Sequence, residues 1–280
     1  MTVTVDSTEH AKSAGAPPND GGGPPSAVAR HLRTGALALV GYALLLAVWS
    51  AGSLLLFTPY VLPAPWTVGA EMWHLAADGT AFVQFGSSIV KIALGFTIGT
   101  VIGVPLGLLM GRVRYWNYFF QQPLLALGNV PGLAFAVFAL ILFGIGAIGP
   151  IVVVAFVALP YVALNVAQGV EEVDRRLVDM SMVYGRGRTD IVRSVYLPSI
   201  MPFLFAALRY GFAMAWKVEA LTEVFGGRSG IGFMIRQSYQ EFSVAGVLAW
   251  TGFFVLFILL IERVFLAGLE RRFFAWRGGR

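Results

Sequence analysis

The sequence predicts an all-α membrane protein with six transmembrane helices and both termini in the cytoplasm. Its 280 residues are 57% hydrophobic and only 12% charged, whereas soluble domains contain about 25% charged residues. The mean hydropathy is +0.74. One uncharged stretch, residues 115–170, is much longer than the roughly 20 residues that cross a bilayer. These values exclude a soluble globular enzyme.

Residues 1–30 are predicted to form a disordered cytoplasmic tail. Their central part is rich in Gly, Pro and small polar residues and contains no apolar block that could serve as a signal-peptide core. Residues 31–280 are predicted to form one transmembrane domain. Its first span, 35–57, is uncharged and is expected to act as an uncleaved anchor.

A proline-containing segment and a glycine-rich span come next. Trp66 and Trp73 suit a short helix at the membrane interface. The second span, 86–111, has a glycine at every fourth position along one helical face, which allows close helix packing. These residues are Gly95, Gly99, Gly103, Gly107 and Gly111.

The uncharged stretch must fold back on itself. As one helix it would be about 84 Å long, against a hydrocarbon core of about 30 Å. The glycine-rich segment 144–150 is the expected turn, which gives a third span at 120–143 and a fourth at 151–170. The fifth span, 199–216, is interrupted by Arg209. The sixth, 242–261, is uncharged.

Basic residues set the expected orientation, because short cytoplasmic loops retain positive charge. With the N terminus inside, 15 of the 20 Lys and Arg residues lie on the cytoplasmic side. The loops after the first and third spans contain none. Both termini and the polar loop 171–198 are therefore predicted to be cytoplasmic.

The loop 171–198 has the pattern of a docking element. Apolar residues recur at helical spacing on both sides of a glycine break at Gly185 and Gly187, and Pro198 is expected to stop the second run. Two short helices that meet at a turn can enter a groove on a soluble partner. The alternative is an ordinary amphipathic loop.

The spacing in this loop resembles that of permease subunits of bacterial ATP-binding-cassette (ABC) importers. Their signature is Glu-Ala-Ala, three residues, Gly, nine residues, then Ile-x-Leu-Pro. Here Asp179-Met180-Ser181, Gly185 and Val195-Tyr196-Leu197-Pro198 keep the spacing, although the opening triplet differs. Further likeness lies in LPAPWTV at Leu62, NVPGLAF at Asn129, FGIG at Phe143 and GRSGIGFMI at Gly227.

Within that family, the sequence is most similar to permeases for aliphatic sulfonates, taurine and nitrate. The resemblance implies a type I importer permease fold in the bacterial inner membrane and import of a small, anionic solute. It also implies a second permease subunit, forming a homodimer, an ATPase dimer that binds ATP and Mg, and an extracytoplasmic solute-binding protein. The implied coupling residues are Asp179, Ser181, Gly185, Arg186, Val195, Leu197 and Pro198.

Charged residues in or beside the spans are candidates for the substrate pathway, since such residues usually face a bundle interior or water. They are Lys91, Arg209, Lys217, Glu219 and Glu223. The planar guanidinium of Arg209 could bind a sulfonate, nitrate or carboxylate, or it could form a structural pair with a carbonyl or carboxylate elsewhere in the chain. Lys91 could instead snorkel to the interface. Lys217 could form a salt bridge with Glu219 or Glu223.

Other functions find less support in the sequence. There is no cysteine, the three histidines are scattered, and no metal or catalytic cluster is expected. A G-x-G-x-x-G match at 144–149 joins two spans and is accidental. No phosphate-binding loop motif occurs, so ATP hydrolysis is assigned to a partner subunit. The net charge of +5 reflects membrane topology rather than nucleic-acid binding. The alternatives are an ion-gradient-driven secondary transporter and a membrane-embedded enzyme.

Overall fold

The computed structural model describes residues 27–261, which form eleven α-helices and no strand. Most of the predicted tail and the arginine-rich residues 262–280 lie outside this range. The helices are α1 (Ala27–Ala51), α2 (Pro65–Ala77), α3 (Thr80–Arg112), α4 (Arg114–Gly128), α5 (Gly132–Phe143), α6 (Ile148–Glu171), α7 (Arg175–Val183), α8 (Arg188–Ile191), α9 (Leu197–Gly226), α10 (Ile231–Gln240) and α11 (Val244–Ile261). Two π-helical turns, Gly52–Leu56 and Val192–Tyr196, follow α1 and α8.

The chain divides into two compact units, with the boundary between Trp49 and Ser50. The first contains most of α1, whose apolar side chains, such as Leu39 and Leu45, are exposed as in a helix surrounded by lipid. The second unit contains all the other helices.

Five helical segments are long and apolar enough to cross a membrane: 39–56, 80–112, 148–171, 188–226 and 244–261. The third predicted span, 120–143, is broken. α4 and α5 meet at a bend of 92°, and only if this bent pair counts as one span do the described residues contain six spans. Pro131 explains the break, because proline disfavours helical backbone at the preceding residue and has no N–H to donate. Asn129 ends α4, and its Nδ2 donates to the carbonyl of Leu125 over 2.7 Å.

Helices α3, α6 and α9 form the centre of the second unit. The predicted glycine ridge of α3 packs against α6: a Cβ at Gly107 would lie 2.5 Å from the carbonyl oxygen of Ala163. α6 is buried along most of its length. An apolar cluster around the fully buried Trp216 and Trp250 joins α9 to α11.

The fifth span is longer than predicted. Pro198 does not stop the second run of the loop, because helix continues from Arg188 to Gly226. The π-helical turn Val192–Tyr196 directly precedes Leu197 and Pro198, so the proline ring lies where one helix type changes to another. Arg209 does not interrupt α9 either. Between α9 and α11 lies α10, a helix that the sequence analysis did not predict.

Candidate functional site

The polar loop after α6 forms the short helix α7 and a glycine turn, as predicted, but the second helix, α8, continues into α9. α7 begins at Asp174, whose carboxylate accepts from the backbone N–H of Arg176 over 2.8 Å. Gly185 has φ +70°, a backbone conformation that favours glycine. The N–H of Arg186 donates to the carbonyl of Ser181 over 3.1 Å and closes the turn.

A buried apolar cluster fixes this loop to the spans. Val173, Ile191 and Val195 pack with Val162 and Val166 of α6. Because α8 also continues into α9 through the π-helical turn, the loop is attached to two central helices. A displacement of the loop would therefore be transmitted to α6 and α9.

The outer face of the loop is apolar and exposed. Met180 is 52% exposed, Val183 86% and Tyr184 79%. Beside this face lies a groove of about 1190 Å³ between α7 and the start of α9. Its lining residues are Leu177, Met180, Ser181, Tyr184, Arg186, Ser194, Val195, Pro198, Ser199, Pro202 and Phe203.

The structure brings four of the seven predicted coupling residues together around this groove. They are Ser181, Arg186, Val195 and Pro198. The other three, Asp179, Gly185 and Leu197, are exposed on the same loop.

A buried charge cluster lies at the other end of α9. The Nζ of Lys91 is 2.5 Å from Oε1 of Glu223, and the exposed fractions of the two side chains are 5% and 0%. Ser88 donates to both carboxylate oxygens over 2.9 and 3.0 Å. Lys91 also donates to the carbonyl of Ser229 over 2.6 Å. Lys91 therefore points into the protein and does not snorkel to the interface.

The same cluster caps α10. The N–H of Gly230 donates to Gln84 Oε1 over 2.7 Å, and that of Ile231 donates to Ser88 Oγ over 3.0 Å. The N–H of Gly232 donates to Glu223 Oε2 over 2.9 Å. Side chains from α3 and α9 thus satisfy the unpaired N–H groups at the start of α10. Sequence reasoning singled out Lys91 and Glu223, but it missed Gln84, Ser88 and the helix that they cap.

The remaining pathway candidates occupy different surroundings. Glu219 is buried, with 1% exposure, and its Oε1 accepts no hydrogen bond from the described residues. Arg209 and Lys217 are exposed. Within residues 27–261, Lys217 forms no ion pair with Glu219 or Glu223, because Glu223 pairs with Lys91.

Comparison with known proteins identifies the family. The sequence profile of the family described as binding-protein-dependent transport system inner membrane component matches residues 103–274. A Bacillus subtilis protein provisionally named as an aliphatic sulfonates transport permease is 28% identical over 236 residues, covering 84% of this chain and 85% of the relative. The taurine transport system permease protein of Escherichia coli is 26% identical over 242 residues, covering 84% and 88%.

A solved structure confirms the predicted fold. The methionine ABC transporter MetNI, in an inward-facing conformation, contains a chain that matches with a TM-score of 0.59 at 20% identity. The match covers 69% of this chain and 96% of that chain. The protein therefore belongs to the binding-protein-dependent transport system inner membrane component family, the permeases of ABC transporters, and is a multi-pass protein of the bacterial plasma membrane.

Proposed function

We propose that this chain is the permease subunit of an ATP-driven importer and that the loop 171–198 couples its spans to a separate ATPase dimer. The observation that carries the proposal is the exposed apolar face of α7 beside a groove. Met180, Val183 and Tyr184 lie on this face, and Arg186 lies at its edge. An apolar helix face with a charged edge suits a groove on a protein partner.

The charge of the loop argues against burial in lipid. It contains five arginines, Arg175, Arg176, Arg186, Arg188 and Arg193, all of which are exposed. Positive charge on short loops favours the cytoplasmic side, where an ATPase has access to ATP. The N terminus and the loop would then share that side, and the Lys91–Glu223 cluster would lie toward the extracytoplasmic side.

Coupling requires two arrangements of the spans that ATP binding and hydrolysis favour in turn. ATP binding would close the ATPase dimer and draw the loops of two permease subunits together, which would open the cavity outward. Hydrolysis would return the cavity to the inward-facing state. The sequence contains no phosphate-binding loop motif of its own, which supports a separate ATPase that binds ATP and Mg.

The names of the relatives support a small anionic solute. Both taurine and aliphatic sulfonates carry a sulfonate group, and permeases named for their transport cover more than four fifths of this chain. We expect an extracytoplasmic binding protein to deliver the solute and a second copy of this chain to complete the pathway.

A substitution at the glycine turn tests the coupling role. Gly185→Trp places a bulky side chain on the docking face, where an added Cβ meets no atom within 4 Å. We expect normal membrane insertion but at least about a tenfold loss of ATP-dependent taurine or ethanesulfonate uptake in proteoliposomes that contain the ATPase and binding protein.

Gly79→Trp is the matched control. Gly79 also has positive φ, at +81°, and a Cβ there also meets nothing within 4 Å, but it lies in the loop before α3 on the opposite predicted side. This variant is expected to transport normally. Normal uptake and ATP hydrolysis by Gly185→Trp would contradict the proposed function of the loop.

A further inference from the structure

Several basic residues in or beside the spans interact with other groups of the protein. Lys91 pairs with Glu223. Arg236 donates to the carbonyls of Val224, Phe225 and Gly227 at the end of α9. Arg209 also has an interaction within the protein.

Lys217 differs from these residues. It is exposed, and it forms no hydrogen bond or ion pair with any residue in the described range 27–261. It lies nine residues before the end of α9, or about 14 Å along the helix, within the candidate membrane span 188–226. An ammonium group at such a position faces a water-filled cavity or a partner rather than lipid.

The neighbouring element gives independent support for a cavity. The next residue, Val218, packs against the start of α5: a Cβ at Gly132 would lie 3.1 Å from Val218 Cγ2. Just before Gly132, the non-helical residues 129–131 at the break between α4 and α5 are exposed. Irregular backbone at membrane depth is tolerated only where protein covers it or where it lines water.

We infer that Lys217 lies in the aqueous pathway and binds the anionic group of the transported solute, a sulfonate or a similar small oxyanion. This inference rests on the proposed function, because it assigns the contact to the imported solute. A lipid phosphate offers the same chemistry, so the experiment must separate the two anions. Met214 and Tyr210, exposed one and two turns earlier on α9, would form part of the wall beside Lys217.

The absence of cysteine from this chain allows a chemical rescue experiment. In the reconstituted importer, Lys217→Cys is expected to raise the KM for taurine or ethanesulfonate about tenfold, since a charge-assisted contact is lost. Treatment with aminoethyl methanethiosulfonate attaches an ammonium group through a disulfide and is expected to restore the KM. The ethylsulfonate reagent attaches a negative group and is expected not to.

Two controls accompany this variant. Wild type treated with the same reagents reports any reaction with the partner subunits. Arg228→Cys removes one exposed positive charge just beyond the end of the same helix, and its KM is expected to change less than about twofold.

The outcomes separate the two proposals. Absence of ATP-driven uptake by the wild type would contradict the proposed function. Normal wild-type uptake with an unchanged KM in Lys217→Cys would overturn the inference alone, as would a stability loss without a KM change, which is the result expected for a lipid phosphate partner.

A second measurement does not depend on transport. The thiol introduced by Lys217→Cys is expected to react with the ethylsulfonate reagent in membrane vesicles, whereas the thiol of Leu256→Cys, at an exposed apolar position on α11, is expected to remain unreactive. Failure of the thiol at position 217 to react would overturn the inference whether or not uptake is observed.

Discussion

The carboxylate of Glu223 is fully buried and accepts hydrogen bonds from Ser88, Lys91 and the backbone N–H of Gly232. Removing a carboxylate from water is unfavourable unless an opposite charge and further donors compensate for the lost hydration. Here those groups come from α3 and α10, whereas Glu223 itself lies on α9. The cluster therefore holds three helices together at one end of α9.

Breaking the Lys91–Glu223 pair from one side is expected to destabilise the protein. Lys91→Met leaves a buried carboxylate without its counter-ion and should lower the free energy of unfolding by about 3–5 kcal/mol. Lys91→Met combined with Glu223→Met removes both charges and should recover part of that loss. Denaturant unfolding of the detergent-solubilised protein measures both effects.

Lys217→Met is the control for these variants. It removes an exposed lysine that has no ion pair within the described residues, so its unfolding is expected to match that of the wild type. Wild-type stability in Lys91→Met would show that the buried pair does not hold the helices together.

At the scale of helices, the glycine ridge of α3 sets its distance from α6. A Cβ at Gly107 would lie 2.5 Å from the carbonyl of Ala163, so the two backbones approach too closely for any side chain. Close approach of this kind is a common basis of helix association in membranes, where the hydrophobic effect does not drive helices together.

Gly107→Ala is expected to separate α3 from α6 and to cost about 1–3 kcal/mol. Gly86→Ala is the matched control on the same helix, because a Cβ at Gly86 meets no atom within 4 Å. Thermal unfolding in detergent compares the two variants. Equal melting temperatures would contradict the role of the ridge in packing.

The spans and the glycine ridge could be predicted because hydropathy and four-residue spacing are local signals. The break at Pro131 was missed since the surrounding run is apolar throughout, and hydropathy does not distinguish one helix from two. Pro198 led to the opposite error. It was expected to end a helix, but after the π-helical turn Val192–Tyr196 the helix continues past it.

The charge cluster was only partly predictable for a related reason. Lys91 and Glu223 are 132 residues apart, and no local pattern shows that they meet. The spacing of the loop around Gly185, in contrast, did predict the short helix α7, the glycine turn and the start of a second helix, although not its continuation into α9.

Across the whole molecule, α9 connects the two sites. Its first residues, including Pro198, Pro202 and Phe203, line the groove beside α7, and its last turns contain Glu219 and Glu223. Its 30 residues extend about 45 Å, enough to cross a hydrocarbon core of about 30 Å. A movement imposed on the loop would therefore reach the opposite side through one continuous helix, past Lys217.

The measurement that tests the central claim most directly is recovery of an ATPase with this chain. The wild type, purified from its native membrane in mild detergent, is expected to bring a nucleotide-binding subunit with it, identified by mass spectrometry and by ATP hydrolysis. Met180→Glu combined with Val183→Glu places two charges on the exposed apolar face of α7 and is expected to abolish that recovery. Tyr239→Glu, at an exposed position on α10, is the control and should retain the subunit.

A contradictory result would be equally clear. Recovery of the wild-type chain without a nucleotide-binding subunit, together with solute uptake that follows an ion gradient instead of ATP, would refute the proposed coupling role of the α7 face. Equal recovery of the ATPase by the Met180→Glu, Val183→Glu variant would place its docking surface elsewhere on the chain.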